Sequence, residues 1–160
     1  MTLVWTRVDQ KLIHGQIAVA WVPHLSIDAV VVGDSDAADD PWVQKVMTMG
    51  LPPEVTETRF VAPAGLADLL AGGEWASRRV LVIFKDIDGV MEAVRGGLRL
   101  TRLNLGNQAA RPGGLGGGRR LTDAFYVSDR DVAGLAELSG LGLEVQVQAV
   151  PAEKAVAWKP

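Results

Sequence analysis

The stretch LVWTRVDQKLIHGQIAVAWV, residues 3–22, changes from a strand pattern to a helix pattern within a few positions. Residues 3–6 are apolar or β-branched and predict a strand, whereas residues 17–22 combine helix formers with an apolar face. Residues 7–16 form the turn between them and contain His14. The first N–H groups of a helix lack intrahelical partners, and the helix dipole adds about half a positive charge there. The turn therefore predicts an anion site beside a histidine.

The same alternation of strand and helix patterns continues along the rest of the chain. Strands are predicted at residues 29–32, 55–61, 79–84, 101–105, 121–127 and 143–150. Helices are predicted at residues 41–49, 65–70, 87–94 and 129–138, the last one capped by Ser128. Strands that alternate with helices on short connections form an open, mostly parallel sheet covered by helices on both faces. We predict this α/β architecture, with room for one antiparallel strand near the C-terminal part.

Four turns of the predicted sheet reach one edge. They follow Asp9, Gly33, Lys85 and Gly106, and each comes after a predicted strand. Ligands of open α/β sheets bind outside the carboxyl ends of the strands. His14 is therefore expected at the ligand-binding edge, beside groups from the other turns.

The composition is that of an ordinary globular protein. The 160 residues are 48% hydrophobic and 22% charged, and we expect one domain over residues 1–160. The net charge of −3 argues against nucleic acid as a partner. The sequence has no cysteine, no charged leader and no apolar run of about 18 residues, the length of a membrane span. We therefore expect a soluble, cytoplasmic protein without disulfides or thiolate chemistry.

Neither a metal nor a cofactor is expected. Zinc sites are built mainly from cysteine and histidine, and the chain has two histidines, His14 and His24. His24 is expected near the end of a helix, where the dipole favours it. The acidic residues between positions 34 and 40 lack calcium-loop spacing and are expected to cap turns and helices. A contact between Asp34 and the histidine site stays open.

A glycine-rich segment, residues 113–118, follows the predicted strand at 101–105. It has the GxxxxG spacing of a phosphate-binding loop, but arginines stand where that motif needs lysine and then serine or threonine. A flexible connection is one interpretation. The other is a basic flap that includes Arg111, Arg119 and Arg120.

Tryptophans are numerous for a chain of this length, with five in total. Trp5, Trp21 and Trp42 fall at apolar positions of predicted elements. Core packing explains such positions without a sugar-stacking role, so we predict that all three are buried.

Residues 7–21, RVDQKLIHGQIAVAW, resemble a known family signature. In the IIB component of the mannose/sorbose family of sugar phosphotransferase systems (PTS), Arg-Ile-Asp-Asp-Arg-Leu-Ile-His-Gly-Gln-Val precedes an aromatic residue. Further similarities follow in order at residues 30–40, 79–86, 103–108 and 143–151. The resemblance thus extends over nearly the whole chain and is most specific around His14.

The resemblance implies that His14 is phosphorylated on Nδ1 by a phosphohistidine of the IIA component. It also implies that the group passes to a sugar held by the membrane components IIC and IID. The chain would then be a protein-N(pi)-phosphohistidine–sugar phosphotransferase, bound through these partners to the inner face of the membrane.

The residues themselves suggest how a phosphoryl group would be held. Phosphoryl transfer needs an in-line nucleophile and donors on the equatorial oxygens. The backbone N–H groups of Gly15 and Gln16 and the side chains of Lys11 and Arg7 are the candidate phosphate-binding donors. Asp9 is expected to orient the loop or the histidine.

Two positions depart from the family pattern, because Gln10 replaces an acidic residue and Lys11 replaces an arginine. Lysine offers a mobile point charge where arginine offers a planar fork, so we expect weaker positioning of the phosphoryl group. These departures motivate an alternative, a regulatory phospho-switch of the same fold that is not coupled to sugar transport. A nucleotide- or flavin-binding module is a third hypothesis, which rests on fold analogy alone.

Overall fold

The computed structural model describes residues 2–110 and 118–160. Its strands are β1 (Thr2–Asp9), β2 (Ala29–Gly33), β3 (Glu57–Val61), β4 (Arg79–Phe84), β5 (Arg102–Asn107), β6 (Gly118–Thr122), β7 (Phe125–Ser128), β8 (Glu144–Val147) and β9 (Val156–Ala157). Seven of them form one sheet in the order β3-β2-β4-β1-β5-β8-β9. All its pairings are parallel except that of β8 with β9, which confirms the predicted mostly parallel sheet and its C-terminal antiparallel strand.

The α-helices are α1 (Val22–Leu25), α2 (Ser35–Ala38), α3 (Pro41–Met49), α4 (Leu66–Leu70), α5 (Ile87–Arg95) and α6 (Asp129–Gly140). A π-helical segment, Gln16–Trp21, leads directly into α1. The predicted cap of α6 is confirmed, because the Ser128 side chain accepts from the N–H of Asp131 and the Asp131 side chain accepts from the N–H of Ser128. No helix in the described ranges is long and apolar enough to cross a membrane.

The sheet is covered on both faces, as predicted. Successive residues of a strand point to opposite faces, and those of β2 alternate between two apolar clusters. Val31 packs in the first cluster, with apolar residues of α4, α5 and α6. Val30 and Val32 pack in the second, with apolar residues of the π-helical segment, α1 and α3. The molecule therefore has a helix layer on each side of the sheet.

The helices that follow β1 and β4 lie on opposite faces, although these strands are neighbours. The π-helical segment and α1 follow β1 in the second cluster, whereas α5 follows β4 in the first. Such a reversal opens a crevice at the carboxyl ends of the strands. Asp9, the last residue of β1, lies at this crevice.

The prediction of one strand at residues 121–127 is wrong, since this region belongs to a hairpin. β6 and β7 pair antiparallel, and Asp123 and Ala124 connect them. Two-residue hairpin turns are usually marked by glycine or asparagine. Because neither is present at this turn, the apolar alternation on both sides resembled one continuous strand.

The glycine-rich segment falls largely outside the described residues. Residues 113–117 and Arg111 are not among them, so both interpretations of this segment remain predictions. Arg119 and Arg120 lie exposed on β6, and Arg120 pairs with Asp123 at 3.1 Å.

The three tryptophans differ in burial. Trp21 is 1% exposed and stacks on the half-buried Trp5, with ring centroids 5.3 Å apart. Trp42 on α3 is 71% exposed, so the prediction that it packs in the core is wrong. The helix turns Val43 and Met47 towards the second cluster and leaves Trp42 on its outer side.

Candidate functional site

Asp9 holds the turn that follows β1. Its backbone carbonyl accepts from the N–H of Leu12 at 2.9 Å, and its Oδ1 accepts from the N–H of Lys11 at 3.1 Å. Leu12 has a φ of 57°, in the left-handed region, and its side chain is buried. A bulky residue adopts this conformation only where its surroundings impose it. The buried leucine and the aspartate together fix the path of the chain towards His14.

His14 stands beside Asp9 with its side chain 20% exposed. Its Nε2 lies 2.9 Å from Oδ2 of Asp9. A carboxylate only accepts hydrogen bonds, so this ring nitrogen carries the proton and donates. When the ring is neutral, Nδ1 keeps its lone pair, and the described residues form no hydrogen bond to it. The ring therefore has one nitrogen held and the other available for chemistry.

Arg7 lies behind Asp9 and is fully buried, with 0% of its surface exposed. Its Nε and Nη2 lie 3.1 and 3.0 Å from Oδ2 of Asp9. Nη1 donates to Oδ1 of Asn104 at 2.6 Å and to the carbonyl of Gln148 at 3.0 Å, and Nη2 donates to the carbonyl of Ala149 at 2.9 Å. Burial lowers the pKa of Arg7, while the carboxylate of Asp9 acts in the opposite direction. All three guanidinium nitrogens are thus engaged inside the protein.

Gly106 and Trp21 shape the space for this guanidinium. A Cβ atom at Gly106 would overlap the guanidinium of Arg7. The Trp21 ring centroid lies 5.2 Å from Cζ of Arg7, within the range of a cation–π interaction. Nε1 of Trp21 donates to the Ala149 carbonyl at 2.9 Å, so one carbonyl holds both side chains.

This environment changes the role expected of Arg7. We predicted its side chain as a phosphate donor, but the guanidinium is fully buried and each of its nitrogens already has an acceptor. Its position is instead suited to the support of Asp9.

The π-helical segment begins at Gln16, directly after Gly15. The N–H of Ala18 donates to the His14 carbonyl at 3.0 Å, and the N–H groups of Gly15 and Gln16 precede this bond. A Cβ atom at Gly15 would meet nothing within 4 Å. The start of the helix therefore borders open space next to the histidine, where an anion has room. The side chain of Gln16 turns inward, with Oε1 3.5 Å from Nη2 of Arg7.

Lys11 and Gln10 occupy different environments in the turn. The Lys11 side chain is exposed and forms no ion pair with the residues that the structure describes. Gln10 is connected to the chain after β5, because its N–H donates to the carbonyl of Asn107 at 2.8 Å and its Oε1 accepts from the N–H of Ala109 at 2.9 Å. The lysine is thus free to meet a ligand, whereas the glutamine fixes the turn.

The predicted site residues lie in one short segment that runs from the end of β1 to the start of the helix. Asp34 instead caps α2, where its Oδ2 accepts from the N–H of Ala37 at 3.0 Å. His24 lies exposed in the last turn of α1, as expected. Asn104, which is fully buried on β5, was not among the predicted site residues. A polar residue between two leucines of a buried strand must find a partner, and this signal could have identified it.

A second feature of the same edge is a cleft of about 200 Å³ beyond the ends of β2 and β4. Its lining is Gly33, Asp34, Ser35, Asp36, Pro63, Asp86, Asp88, Gly89 and Glu92. Asp34 and Asp86 cap α2 and α5, so part of this acidic lining has a structural role. No three His, Cys, Asp or Glu side chains of the described ranges are grouped to hold a metal ion.

Comparison with known proteins gives the class of the molecule. Residues 3–160 match the family model of the PTS system sorbose subfamily IIB component. The chain belongs to this family.

Individual relatives agree with this assignment. The chain is 28% identical over 150 residues to the PTS system mannose-specific EIIAB component of Escherichia coli, and the match covers 94% of this chain and 45% of that protein. It therefore spans about half the length of this relative. It is also 28% identical over 154 residues to the N-acetylgalactosamine-specific phosphotransferase enzyme IIB component 2 of E. coli, covering 96% of this chain and 94% of that protein.

Solved structures share the fold. The IIBSor domain of the sorbose permease from Klebsiella pneumoniae superposes with a TM-score of 0.86 at 24% identity, over 98% of this chain and 93% of that one. The N-acetylgalactosamine-specific IIB component 1 from E. coli has a TM-score of 0.86 at 25% identity, over 99% of this chain and 100% of that one. The seven-stranded sheet with its helices is thus the architecture of IIB structures.

Proposed function

We propose that this chain is a phosphocarrier that accepts a phosphoryl group on Nδ1 of His14 and passes it to a sugar. The observation that carries the proposal is the 2.9 Å hydrogen bond between Nε2 of His14 and Oδ2 of Asp9. This contact holds the ring proton on Nε2 and leaves the Nδ1 lone pair for attack on phosphorus. Membership in the IIB family supports the same chemistry.

The transfer consists of two displacements at phosphorus. In the first, Nδ1 forms a bond to phosphorus while the P–N bond to the donor histidine breaks, and that electron pair returns to the donor ring. In the second, a sugar hydroxyl oxygen attacks phosphorus, the bond to Nδ1 breaks, and the hydroxyl proton leaves to a base outside this chain. His14 returns to its starting state. Because such transition states are loose, positioning and charge stabilisation are the main contributions of the protein.

The phosphoryl oxygens would be held by groups at the start of the helix. The N–H groups of Gly15 and Gln16 border open space beside His14 and are suited to bind these oxygens. The Lys11 side chain is exposed and can add a positive charge. Asp9 orients the histidine, and Arg7 supports Asp9 from behind without touching the phosphoryl group.

We further propose the partners of this transfer. The donor is the phosphorylated IIA component, and the acceptor sugar is bound by the membrane components IIC and IID. Residues 1–160 act as a single IIB domain in the cytoplasm, at the inner face of the membrane. The activity is that of a protein-N(pi)-phosphohistidine–sugar phosphotransferase. The EIIAB name of the E. coli mannose relative supports a close functional connection between IIA and IIB components.

The experiment that tests the proposal is phosphorylation from phosphoenolpyruvate through the general phosphotransferase proteins and the IIA component of the same organism. Intact-mass and phosphopeptide analysis, under conditions that preserve phosphohistidine, are expected to find one phosphoryl group on His14. The label should disappear in His14→Ala and persist in His24→Ala, the matched control at the exposed histidine. An unlabelled wild-type chain beside demonstrably phosphorylated IIA would refute the proposal.

The regulatory alternative is distinguished by a second stage of the same experiment. Membranes that contain IIC and IID are added together with candidate sugars. Loss of the label with formation of sugar phosphate supports the transport relay. A label that stays on His14 with every sugar favours the regulatory switch, which the departures at Gln10 and Lys11 motivate.

A further inference from the structure

We infer that Arg7 keeps Nδ1 of His14 free of a proton by neutralising Asp9 from the buried side, and is therefore a positioning residue of the site. The inference rests on the proposed function, because it concerns the nitrogen that would receive the phosphoryl group. It starts from one shared atom. Oδ2 of Asp9 accepts from Nε and Nη2 of Arg7, at 3.1 and 3.0 Å, and from Nε2 of His14, at 2.9 Å.

The role of Arg7 follows from what Asp9 would do without it. Asp9 is fully buried, and an unpaired carboxylate is costly in such surroundings. Uptake of one proton from solvent relieves this cost in either of two ways. If His14 takes the proton, it becomes an imidazolium with both nitrogens protonated. If Asp9 takes it, the carboxylic acid donates to Nε2 and the ring proton moves to Nδ1.

Both ways place a proton on Nδ1 and remove the lone pair that attacks phosphorus. With Arg7 present, the guanidinium supplies the compensating charge, so Asp9 accepts from both neighbours while it remains ionised. Arginine does not deprotonate in proteins, so this compensation is permanent. The arginine thus decides which histidine nitrogen is reactive without touching the ring.

Few charged groups lie near His14 in the part of the chain that the structure describes. Within the described ranges, Asp9 is the ion-pairing partner of the ring and Arg7 lies behind it on the same strand, β1. Lys11, in the same turn, has an exposed side chain. From the helix that packs over the site, Gln16 and Trp21 face Arg7, and both are uncharged. Arg7 is therefore the group that compensates the negative charge of Asp9.

The position of the guanidinium is fixed by its other neighbours. Asn104 is fully buried, and its Nδ2 donates to the Gln148 carbonyl at 3.2 Å, which leaves Oδ1 for Nη1 of Arg7. The Ala149 carbonyl and the Trp21 ring complete the enclosure. A guanidinium enclosed in this way keeps its charge against Asp9 and has no path to a phosphoryl group on the other side of His14.

The test reads the protonation of the two His14 ring nitrogens by ¹⁵N NMR in the unphosphorylated protein, at about pH 8, above the ordinary titration range of histidine. The wild type is expected to have a protonated Nε2 and a bare Nδ1. Arg7→Met removes the charge at similar length, and most of its molecules should carry a proton on Nδ1. Transfer from phosphorylated IIA should then fall by about tenfold or more.

Three further variants separate charge from structure. Arg7→Lys retains the charge and should restore a bare Nδ1 relative to Arg7→Met, which a purely structural role would not produce. Arg7→Gln is also neutral and takes the place of Arg7→Met if that variant does not fold. Arg130→Met makes the same change at an exposed arginine that pairs with Asp88, and should leave the ring unchanged.

The inference is overturned if Arg7→Met or Arg7→Gln is folded and its His14 Nδ1 is unprotonated to the same extent as in the wild type. It is also overturned if Arg7→Lys carries as much proton on Nδ1 as Arg7→Met does. Circular dichroism and thermal unfolding establish which variants are folded. Because ring protonation is read without a phosphoryl donor, failure to label wild-type His14 would contradict the proposed function and leave the NMR result interpretable.

Discussion

Gly106 of β5 lies so close to Arg7 of β1 that a methyl group on this glycine would overlap Cζ, Nη1 and Nη2 of the guanidinium. The arginine has little freedom to move away, because its nitrogens are bound to Asp9, Asn104 and Ala149. The glycine is thus needed for the close approach of β5 to the Arg7 side chain. The position of the buried guanidinium behind Asp9 and His14 depends on it.

We expect Gly106→Ala to lower the free energy of unfolding by about 1–3 kcal/mol, the usual cost of overpacking. Displacement of Arg7 should also disturb the hydrogen bond between Asp9 and His14. Urea unfolding measures the first effect and ¹⁵N NMR of the His14 ring the second. Gly140→Ala, where a Cβ would meet nothing within 4 Å, is the control and should be neutral or stabilising by up to about 1 kcal/mol. Unchanged stability of Gly106→Ala would mean that the guanidinium can shift.

Asp9→Asn is expected to slow phosphoryl transfer by up to about 10⁴-fold, the scale seen when the carboxylate that orients a catalytic histidine is replaced by its amide. Both oxygens of Asp9 are used, Oδ1 by the N–H of Lys11 and Oδ2 by Arg7 and His14, whereas an amide has a single acceptor oxygen. Single-turnover transfer from phosphorylated IIA measures the effect. Asp34→Asn is the matched control, since asparagine also caps helices and the rate should not change. Transfer at the wild-type rate in Asp9→Asn would show that the contact between Asp9 and His14 does not determine the orientation and tautomer of the ring.

Lys11→Arg should speed transfer by roughly fivefold, equivalent to about 1 kcal/mol of additional transition-state stabilisation from the arginine fork. The Lys11 side chain is exposed, so stability should be unaffected. Lys45→Arg makes the same change on the exposed surface of α3 and should leave the rate as it is. An unchanged or slower rate in Lys11→Arg would contradict the expected advantage of an arginine fork at this position.

Trp21→Ala and Trp42→Ala should differ widely in stability. Trp21 is buried against Arg7 and Trp5, and truncation of such a side chain costs about 3–5 kcal/mol. Trp42 is exposed, and its truncation should change stability by no more than about 0.5 kcal/mol. Chemical unfolding of the two variants provides the comparison. A large loss in Trp42→Ala would indicate that this face of α3 is covered in solution.

Local patterns were sufficient for the main sheet and for the location of the turn that contains His14. Buried parallel strands have continuous apolar runs, as in β2 and β4, and the predicted helix at residues 41–49 matches α3. His14 and the groups around it are contiguous in sequence, so the turn could be recognised without the fold. The hairpin of β6 and β7 was missed because its turn has no glycine or asparagine.

Other features depend on information that a sequence pattern does not contain. The partners of Arg7 include the backbone carbonyls of Gln148 and Ala149, and a carbonyl is the same in every residue type. The helix α3 has apolar residues on both sides, with Val43 and Met47 inward and Trp42 outward, so periodicity alone could not select the buried side.

The carbonyl of Ala149 joins Arg7 and Trp21 across a large sequence separation, and the hydrogen bond from Arg7 spans 142 positions. The turn that holds His14 is synthesised before β5 and β8, but the hydrogen bonds of Arg7 to Asn104, Gln148 and Ala149 form only after these strands have entered the sheet. A nascent chain would thus expose the histidine on the ribosome long before its ring is oriented. Competence for phosphorylation would then arise only when the sheet is complete, as a property of the folded domain.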